Sequence, residues 1–128
     1  MKLIESVSPD FYYPDDRGVL VQIAREGVAQ VNAVFTKKGA VRGNDHYHRQ
    51  TAETFYVLSG RVRVRASLDG ETETAEFETG SMFRIPAFVR HCFSYLADTY
   101  LVVLYSAPVE LPDGSKDIIP GGKEADPV

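Results

Sequence analysis

Hydrophobic residues along this chain occur in short runs that are either continuous or alternate with polar residues. The runs are GVLVQI, VNAVF, TFYVLSG, RVRVRASL, MFRIP, HCFSYL and TYLVVLYS, and glycine or other turn residues separate them. Short runs of this kind, bounded by turn residues, predict β-strands. No long window keeps apolar residues at spacings of three and four, so a long helix is not expected. The pattern therefore predicts an all-β sandwich or barrel with minimal helix.

One hairpin can be written out in register. The dipeptide Asp69-Gly70 between two strand-like runs predicts a two-residue turn. Pairing outward from this turn predicts the following opposite residues: Leu68 with Glu71, Val64 with Ala75, Val62 with Phe77, Arg63 with Glu76, and Arg61 with Glu78. One face of the hairpin would then be apolar, and the other would carry cross-strand ion pairs.

Chain length limits the number of domains, and net charge limits the class of binding partner. A chain of 128 residues with 44% hydrophobic content can bury one core but is short for two ordinary domains. We predict one barrel with its N-terminal strands over residues 1–108 and a C-terminal tail or surface wrap over 109–128. Lys plus Arg number 14 and Asp plus Glu number 18, a net charge of -4, which indicates neither a nucleic-acid nor a membrane partner. A small molecule is the expected partner.

The single cysteine and the N-terminal sequence indicate the cellular compartment. Cys92 has no second cysteine for an internal disulfide, which is typical of a reducing cytosol. The N-terminal sequence MKLIESVSPDFYYPDDRG shows no basic region followed by an apolar run, so neither a signal peptide nor a membrane segment is expected. We predict a cytoplasmic protein.

Open sheet edges and apolar outer faces of such a fold also predict a homodimer.

Three histidines and one glutamate form a candidate metal site. His46 and His48 are two apart, so they project to the same side of an extended strand. Glu53 begins the next predicted strand, and a barrel could bring His91 opposite the first pair. Three imidazoles and a carboxylate suit Fe(II), Mn(II), Ni(II), Co(II) or Zn(II), so we predict one such ion per chain. The alternative for Glu53 is an ion pair with a base such as Arg49.

At these residues the sequence resembles the cupins. The first cupin motif places two histidines, a glutamate and a glycine at the spacing seen here in His46, His48, Glu53 and Gly60. The second motif has a glycine, a Pro-x-Gly turn, a histidine and an asparagine. The corresponding residues here are Gly80, Pro86-Ala87-Phe88, His91 and Tyr95. The match covers residues 39–95 and implies a double-stranded β-helix, or jelly-roll barrel, in which the divalent metal is bound by His46, His48, Glu53 and His91.

Three departures from the cupin pattern change the expected local structure. Ala40 stands where the family has a glycine, so the loop before the first histidine is expected to differ. Phe88 replaces the turn glycine, and because a positive φ is costly for Phe, we expect a different turn there. Tyr95 replaces the asparagine and, by strand alternation, lies on the same face as His91 and Phe93.

A narrower resemblance is to the cupins that act on nucleotide-linked keto sugars. It lies in the segments PDDRGVLVQI and AQVNAVFTKKGAVRGNDHYH. The likeness is carried by Asp15, Asp16, Arg17, Gly18, Arg42 and Gly43. The sequence is most similar to the metal-containing C-terminal cupin of capsular-polysaccharide reductase-epimerases, and less similar to the ketoisomerases and deoxysugar 3,5-epimerases. This resemblance implies isomerase- or epimerase-type proton transfer on a keto sugar.

That chemistry assigns expected roles to several residues. Tyr95 is the expected proton donor, because a neutral phenol with a pKa of about 10 donates a proton better than it accepts one. Metal binding would use all three histidines, so none remains as a base. Arg42 and Arg84 are expected to bind an anionic group of the substrate. Phe55 and Phe93 are expected to line the pocket.

Two other functions use the same residues. A dioxygenase with Fe(II) or Mn(II) would bind substrate and O₂ at the open metal positions, in an apolar pocket. That pocket would be formed by Phe55, Phe83, Phe88 and Phe93. The second alternative is a small-ligand binding cupin without catalytic activity.

Overall fold

The computed structural model describes residues 2–42 and 45–120. Gly43 and residues 121–128 of the predicted tail lie outside this range. The described residues form these strands: β1 (Glu5–Ser6), β2 (Phe11–Asp15), β3 (Gly18–Gln22), β4 (Gln30–Thr36), β5 (His46–Tyr47), β6 (Glu53–Ser59), β7 (Arg61–Leu68), β8 (Glu71–Glu78), β9 (Met82–Ile85), β10 (Arg90–Tyr95), β11 (Thr99–Tyr105) and β12 (Ile119–Pro120). Among the described residues, no helix has the length and apolarity needed to cross a membrane.

The strands build two five-stranded antiparallel sheets and a separate hairpin. The first sheet has the order β1-β9-β6-β11-β4, and the second has the order β12-β5-β10-β7-β8. Strands β2 and β3 pair only with each other. Most neighbours within a sheet are distant in sequence, as crossovers between the two sheets of a jelly roll require. The predicted all-β jelly-roll fold is therefore confirmed.

The core lies between the two sheets and follows the alternation of each strand. In β7, Val62, Val64 and Ala66 are fully buried, whereas the arginines between them point outward. The opposite sheet contributes inward residues such as Val57 and Phe83, which are also fully buried. One continuous apolar cluster results, and it supports the strands that carry the histidines.

The predicted β7–β8 hairpin is confirmed in register. Every predicted pair from Leu68 opposite Glu71 to Arg61 opposite Glu78 is present. Asp69 and Gly70 have φ angles of 52° and 81°, and a positive φ at both central residues is what a type I′ turn requires. The turn type thus sets the register that places the apolar side chains inward.

The ion pairs on the outer face of this hairpin differ in one partner from the prediction. Glu76 pairs with its directly opposite residue Arg63 at 2.8 Å, and also with Arg61 at 2.6 Å. Arg61 therefore contacts the diagonal carboxylate and not the opposite Glu78. An arginine is long enough to reach a diagonal neighbour across a twisted pair of strands. These pairs are partly exposed and add little to stability.

The turn between β9 and β10 keeps a positive φ despite its phenylalanine. Phe88 has a φ of 72°, so the expectation of a different turn was wrong. Its amide donates a 2.7 Å hydrogen bond to the carbonyl of His48. This bond holds the backbone in a conformation that costs a non-glycine residue about 1–2 kcal/mol. The turn thereby ties the start of β10, and with it His91, to the segment that carries His48.

The C-terminal segment runs back along the second sheet. Val109 and Asp117 are buried, and the amide of Asp117 donates to the carbonyl of Val109 at 2.8 Å. Strand β12 then pairs with β5, which places Ile119 opposite Tyr47 and Pro120 opposite His46. Residues 109–120 are therefore in direct contact with the strand that carries the first histidine.

We predict that, among the glycines that the structure describes, Gly60 is the one whose replacement by alanine is most destabilising. Gly60 has a φ of 115°, and an added Cβ would lie 2.5 Å from the Thr99 hydroxyl and 2.6 Å from the Asp98 carbonyl. The expected loss in the free energy of unfolding is roughly 3 kcal/mol. Gly80→Ala is the matched control, because Gly80 has a φ of 90° but open space around it. It should cost about 1 kcal/mol. Equal urea midpoints for the two variants would show that the close approach at Gly60 does not restrict substitution.

Candidate active site

Four side chains from three parts of the fold meet at one end of the barrel. His46 lies on β5 and is directly opposite His91 on β10. His48 follows β5, and Glu53 is the first residue of β6. One ligand atom from each of the four residues can be chosen so that all lie within 4.8 Å of one another. The structure thus brings together all four residues of the predicted metal site.

Backbone carbonyls set the orientation of two of these histidines. The Nδ1 of His48 contacts the carbonyl of Asp117, and the Nδ1 of His91 lies 3.0 Å from the carbonyl of Val89. A carbonyl oxygen only accepts hydrogen bonds, so each Nδ1 must carry the proton. Each Nε2 faces the site, where it can bind a metal ion or carry a second proton toward Glu53. An imidazole that donates its Nδ1 proton to a carbonyl is oriented to bind a metal through Nε2.

The atoms that face the site form a convergent set of acceptors. Glu53 Oε1 lies 2.7 Å from His48 Nε2 and 2.9 Å from His91 Nε2. Despite these short distances, none of the three buried atoms has a partner with hydrogen-bond geometry among the described residues. Three acceptors this close repel one another unless a cation or protons lie between them. As metal ligands, these atoms therefore fit the divalent metal expected from the sequence.

The electrostatics of the cluster keep Glu53 ionised. Burial by itself would raise the pKa of Glu53, but the adjoining His48 and His91 lower it to about 2. Burial by itself would lower the pKa of His48, but the Glu53 carboxylate beside it raises that pKa overall. Glu53 is 5% exposed, so its negative charge lies almost entirely out of water. A buried carboxylate of this kind needs positive charge nearby.

Asp117 supports the site from the C-terminal segment, and sequence analysis did not identify it. Its carboxylate accepts hydrogen bonds from the amides of Arg49, Gln50 and Thr51 at 2.8, 2.8 and 3.3 Å. Its carbonyl accepts the Nδ1 proton of His48. One buried residue thus holds the turn between the His48 and Glu53 positions and orients one imidazole. The sequence carried no signal for this role, because Asp117 is far from the motif and lies in a polar, proline-rich region.

A cavity of about 180 Å³ opens beside the cluster. Its lining includes most of the predicted substrate and catalytic residues, together with three residues of the cluster. The lining residues are Val34, Arg42, His46, Glu53, Phe55, His91, Cys92, Phe93, Tyr95, Leu101, Val103 and Tyr105. Its lining combines apolar side chains with an arginine, two tyrosines and three residues of the cluster. Such a pocket is a typical small-molecule site.

Tyr95 and Arg42 form a polar wall of the cavity. The Arg42 guanidinium donates to the Thr36 hydroxyl at 3.0 Å and to the Phe35 carbonyl at 3.2 Å. Burial raises the pKa of Tyr95, although a hydrogen bond with Thr36 and the charge of Arg42 act in the opposite direction. Tyr95 is therefore a neutral phenol at neutral pH and can donate a proton.

Tyr105 is a second tyrosine in the cavity that sequence analysis missed. It lies opposite Glu53 in the pairing of β11 with β6, and its hydroxyl accepts a 3.4 Å hydrogen bond from Asn32. Burial, followed by the charge of Glu53, raises its pKa to about 12. Strand alternation in TYLVVLYS gave a usable signal, because Tyr105 shares its parity with the core residues Leu101 and Val103.

Three predicted pocket residues lie elsewhere. Arg84 does not point into the barrel but pairs with Glu5 at 3.1 Å on the outer face of the first sheet. The inward positions of β9 are taken by Phe83 and Ile85, so alternation turns Arg84 outward. Phe83 is fully buried in the core, and Phe88 is 55% exposed in its turn. The pocket of four phenylalanines expected for a dioxygenase therefore contains only Phe55 and Phe93 of the four.

The first of the two segments with the narrower sequence likeness, PDDRGVLVQI, also lies outside this cavity. Asp15 and Gly18 flank the tip of the β2–β3 hairpin, and Arg17 at that tip is exposed and pairs with Asp15 at 2.6 Å. The hydrogen bond from Arg17 lowers the pKa of the Asp15 carboxyl. Of the residues that carry the likeness, Arg42 lines the cavity, and Gly43 is not among the described residues.

Comparison with known families and structures agrees with this fold. Residues 34–106 match the family described as "Cupin domain". No curated protein sequence matches the chain.

Three similar solved structures are enzymes of sugar metabolism by their names. The TDP-quinovose 3,4-ketoisomerase WlaRB from Campylobacter jejuni has a TM-score of 0.78 at 18% identity, covering 94% of this chain and 95% of its own. The sugar 3,4-ketoisomerase QdtA from Thermoanaerobacterium thermosaccharolyticum, in complex with TDP, has a TM-score of 0.75 at 20% identity, with coverages of 93% and 88%. The dTDP-4-dehydrorhamnose 3,5-epimerase from Sulfolobus tokodaii has a TM-score of 0.64 at 24% identity, with coverages of 81% and 75%. At these identities the likeness shows the shared fold.

We predict that the wild-type protein binds one divalent transition metal per chain and that His91→Ala abolishes this binding. His91 supplies one of the three convergent buried acceptors, so its loss removes a ligand. Plasma mass spectrometry on untagged protein, reloaded in turn with each candidate metal, measures the metal content. Arg84→Ala is the matched control and should retain the metal, since Arg84 lies outside the cavity. A wild-type protein that stays metal-free after reloading would contradict the prediction.

Replacing Asp117 by alanine should weaken metal binding about 10- to 100-fold while the barrel stays folded. The variant removes the carboxylate that holds the amides of residues 49–51, so His48 loses its fixed position. Competition with a chelator gives the affinity, and the ¹⁵N shifts of the His48 ring report its tautomer. Asp113→Ala is the control in the same segment, because the exposed Asp113 carboxylate bonds only locally to Ser115. Unchanged affinity in Asp117→Ala would rule out this supporting role.

Proposed function

Because the chain belongs to the cupin domain family, we propose that it is a metal-binding cupin that catalyses isomerase- or epimerase-type proton transfer on a keto sugar. The observation that carries this proposal is the cavity, in which two neutral tyrosines and an arginine face a buried cluster of histidines and a carboxylate. Proton transfer next to a ketone needs both a group that stabilises an enolate and groups that give and take protons. Tyr95, Tyr105 and the cluster offer both kinds of group in one small volume.

The proposed substrate is a nucleotide-linked keto sugar. The cavity volume of about 180 Å³ is below the roughly 300–1,000 Å³ typical of sites for drug-sized ligands, so it suits a single sugar ring. A larger attached group would extend through the opening. The similar solved structures support this substrate class, since they are named as ketoisomerases and an epimerase of TDP-linked or dTDP-linked sugars. Arg42 is the residue of the lining that we propose for an anionic or carbonyl oxygen of the substrate.

We propose His46, His48, Glu53 and His91 as the residues that hold the metal. When bound, a divalent metal would supply Lewis-acid stabilisation of the negative charge that develops on a ketone oxygen. The apolar side chains Phe55 and Phe93 exclude water from the same region. Exclusion of water strengthens each electrostatic interaction with the substrate.

Tyr95 is the proposed proton donor. Its raised pKa keeps the phenol protonated through the neutral range, and it hydrogen-bonds to Thr36, which itself accepts a hydrogen bond from Arg42. Tyr105 stands near Glu53 with a pKa of about 12, so it too remains a hydrogen-bond donor. We propose that Tyr105 orients the substrate.

His46 is the residue of the cluster best placed to accept a proton from the substrate. It lines the cavity and is only half-buried, whereas His48 is buried and does not line it. A nitrogen that binds a metal has no lone pair left for a proton, so His46 fills only one of these two roles at a time. Measuring the reaction with metal-free and with metal-loaded protein separates the two roles.

The test is exchange of carbon-bound hydrogen in D₂O. A nucleotide-linked 4-keto-6-deoxy sugar incubated with the metal-loaded protein should gain deuterium next to its ketone, as seen by NMR and mass spectrometry. Tyr95→Phe should slow the coupled isomerisation about 10²- to 10⁴-fold, because it removes the proton donor. Tyr100→Phe is the control, since Tyr100 is 50% exposed on the outer face. Absence of exchange in metal-free protein and with every metal loaded would refute the proposed reaction.

A further inference from the structure

The Tyr105 hydroxyl has one proton and two polar neighbours. On one side it hydrogen-bonds to the Glu53 carboxylate, which lines the same cavity. On the other side the Asn32 amide lies 3.4 Å away. An amide has a nitrogen that donates and an oxygen that accepts, so the end that faces Tyr105 decides where the tyrosine proton points. If the nitrogen faces it, the hydroxyl oxygen accepts from Asn32 and the proton is left for the Glu53 side.

A second amide connects Asn32 to the backbone of the C-terminal segment. Gln30 and Asn32 are two apart on β4, and Gln30 is directly opposite Tyr105 in the pairing of β4 with β11. Gln30 Nε2 donates to Asn32 Oδ1 at 3.3 Å, and Gln30 Oε1 accepts from the Val109 amide at 3.0 Å. Val109 is buried, so its backbone N–H requires this acceptor.

The Val109 amide sets the direction of the whole chain of hydrogen bonds. A backbone N–H can only donate, so Gln30 must turn its oxygen toward Val109 and its nitrogen toward Asn32. Asn32 must then turn its oxygen toward Gln30, which leaves its nitrogen for Tyr105. Any other orientation places two donors or two acceptors against each other, and such a contact between partly buried groups is unfavourable.

We propose that Gln30 and Asn32 are positioning residues, which direct the single proton of Tyr105 toward Glu53 and a substrate in the cavity. The inference rests on the proposed function, because a proton-transfer site is what gives this direction a use. Asn32 occupies the acceptor side of the hydroxyl, so Tyr105 is held as a donor and is unsuited to accept a proton from the substrate. The fold itself needs only Gln30, which already satisfies the Val109 amide.

Replacing Gln30 by glutamate reverses the chain without touching Tyr105. An ionised carboxylate only accepts, so it would take hydrogen bonds from both Val109 and Asn32, and Asn32 would turn its oxygen toward Tyr105. The tyrosine hydroxyl then no longer accepts a hydrogen bond. Infrared spectroscopy detects this change, because accepting a hydrogen bond weakens the phenol C–O bond. The Tyr105 C–O band, assigned by its absence in Tyr105→Phe, should therefore move to higher frequency in Gln30→Glu.

The matched control makes the same chemical change outside the site. Gln22 is exposed on β3 and its side-chain oxygen accepts a hydrogen bond from Arg25, so Gln22→Glu should leave the Tyr105 band unchanged. Should Gln30→Glu fail to fold, Asn32→Asp decides the question in the same way, because it too presents only acceptors to Tyr105. A Tyr105 band that stays at the wild-type frequency in the folded variant would overturn the proposal.

Kinetics separate a positioning role from a merely structural one. In the isomerisation assay, Asn32→Asp should lower kcat about 10- to 100-fold with little change in KM, since it offers the Tyr105 proton a competing acceptor. Asn32→Leu removes the amide without adding an acceptor and should lose less activity. Equal losses in the two variants would contradict the positioning role. A wild type that catalyses no exchange would refute the proposed function, whereas the infrared bands would still test the direction of the chain.

Discussion

The buried carboxylate of Glu53 is the constraint on which the rest of the site depends. It is almost fully removed from water, and the Nε2 atoms of two imidazoles lie within 2.9 Å of it. A charge in that position is expensive unless a cation shares the site. The fold meets this demand by holding all the acceptors at one point, so that a single divalent ion can satisfy them together. The site is thus organised around a buried negative charge that requires a cation, either a bound metal ion or a protonated imidazole.

Holding the acceptors together takes hydrogen bonds from well outside the motif. Val89 fixes the tautomer of His91 from the turn just before it, and Asp117 fixes that of His48 from the far end of the chain. The amide of Phe88 binds the carbonyl of His48, so the two halves of the site are joined through the backbone. The positive φ of Phe88 is maintained by this bond. Backbone strain next to the site is therefore part of how the ligands are positioned.

Strand alternation also separates the residues that line the cavity from those on the outer faces of the barrel. Inward residues of β6, β10 and β11 line the cavity, whereas outward residues of β4 and β11 form the apolar face beside the hairpin. Alternation along β11 thus supplies Tyr105 to the site and Tyr100 to the outer face from the same strand. The same rule explains why Arg84 lies outside. Arg84 lies two strand positions after Met82 and shares its outer side of β9, because Phe83 and Ile85 fill the interior.

Local chemistry in the sequence was sufficient for the strands, the register of the β7–β8 hairpin, the jelly-roll fold and the four residues of the cluster. The strands and the register follow from short-range rules, namely period-two burial and a turn that requires positive φ at both positions. The jelly-roll fold was implied by the resemblance to the cupin motifs, which contain the four residues of the cluster. Only the tertiary structure decided four other features. They are the outward direction of Arg84, the ion pair of Arg61 with the diagonal Glu76, the position of Tyr105 in the cavity lining, and the hydrogen bonds by which Asp117 holds the turn and His48. Each of these depends on which side chains or backbone groups become neighbours across sheets or across the length of the chain. Such neighbours are set by packing of the whole barrel, which no local pattern of residues encodes.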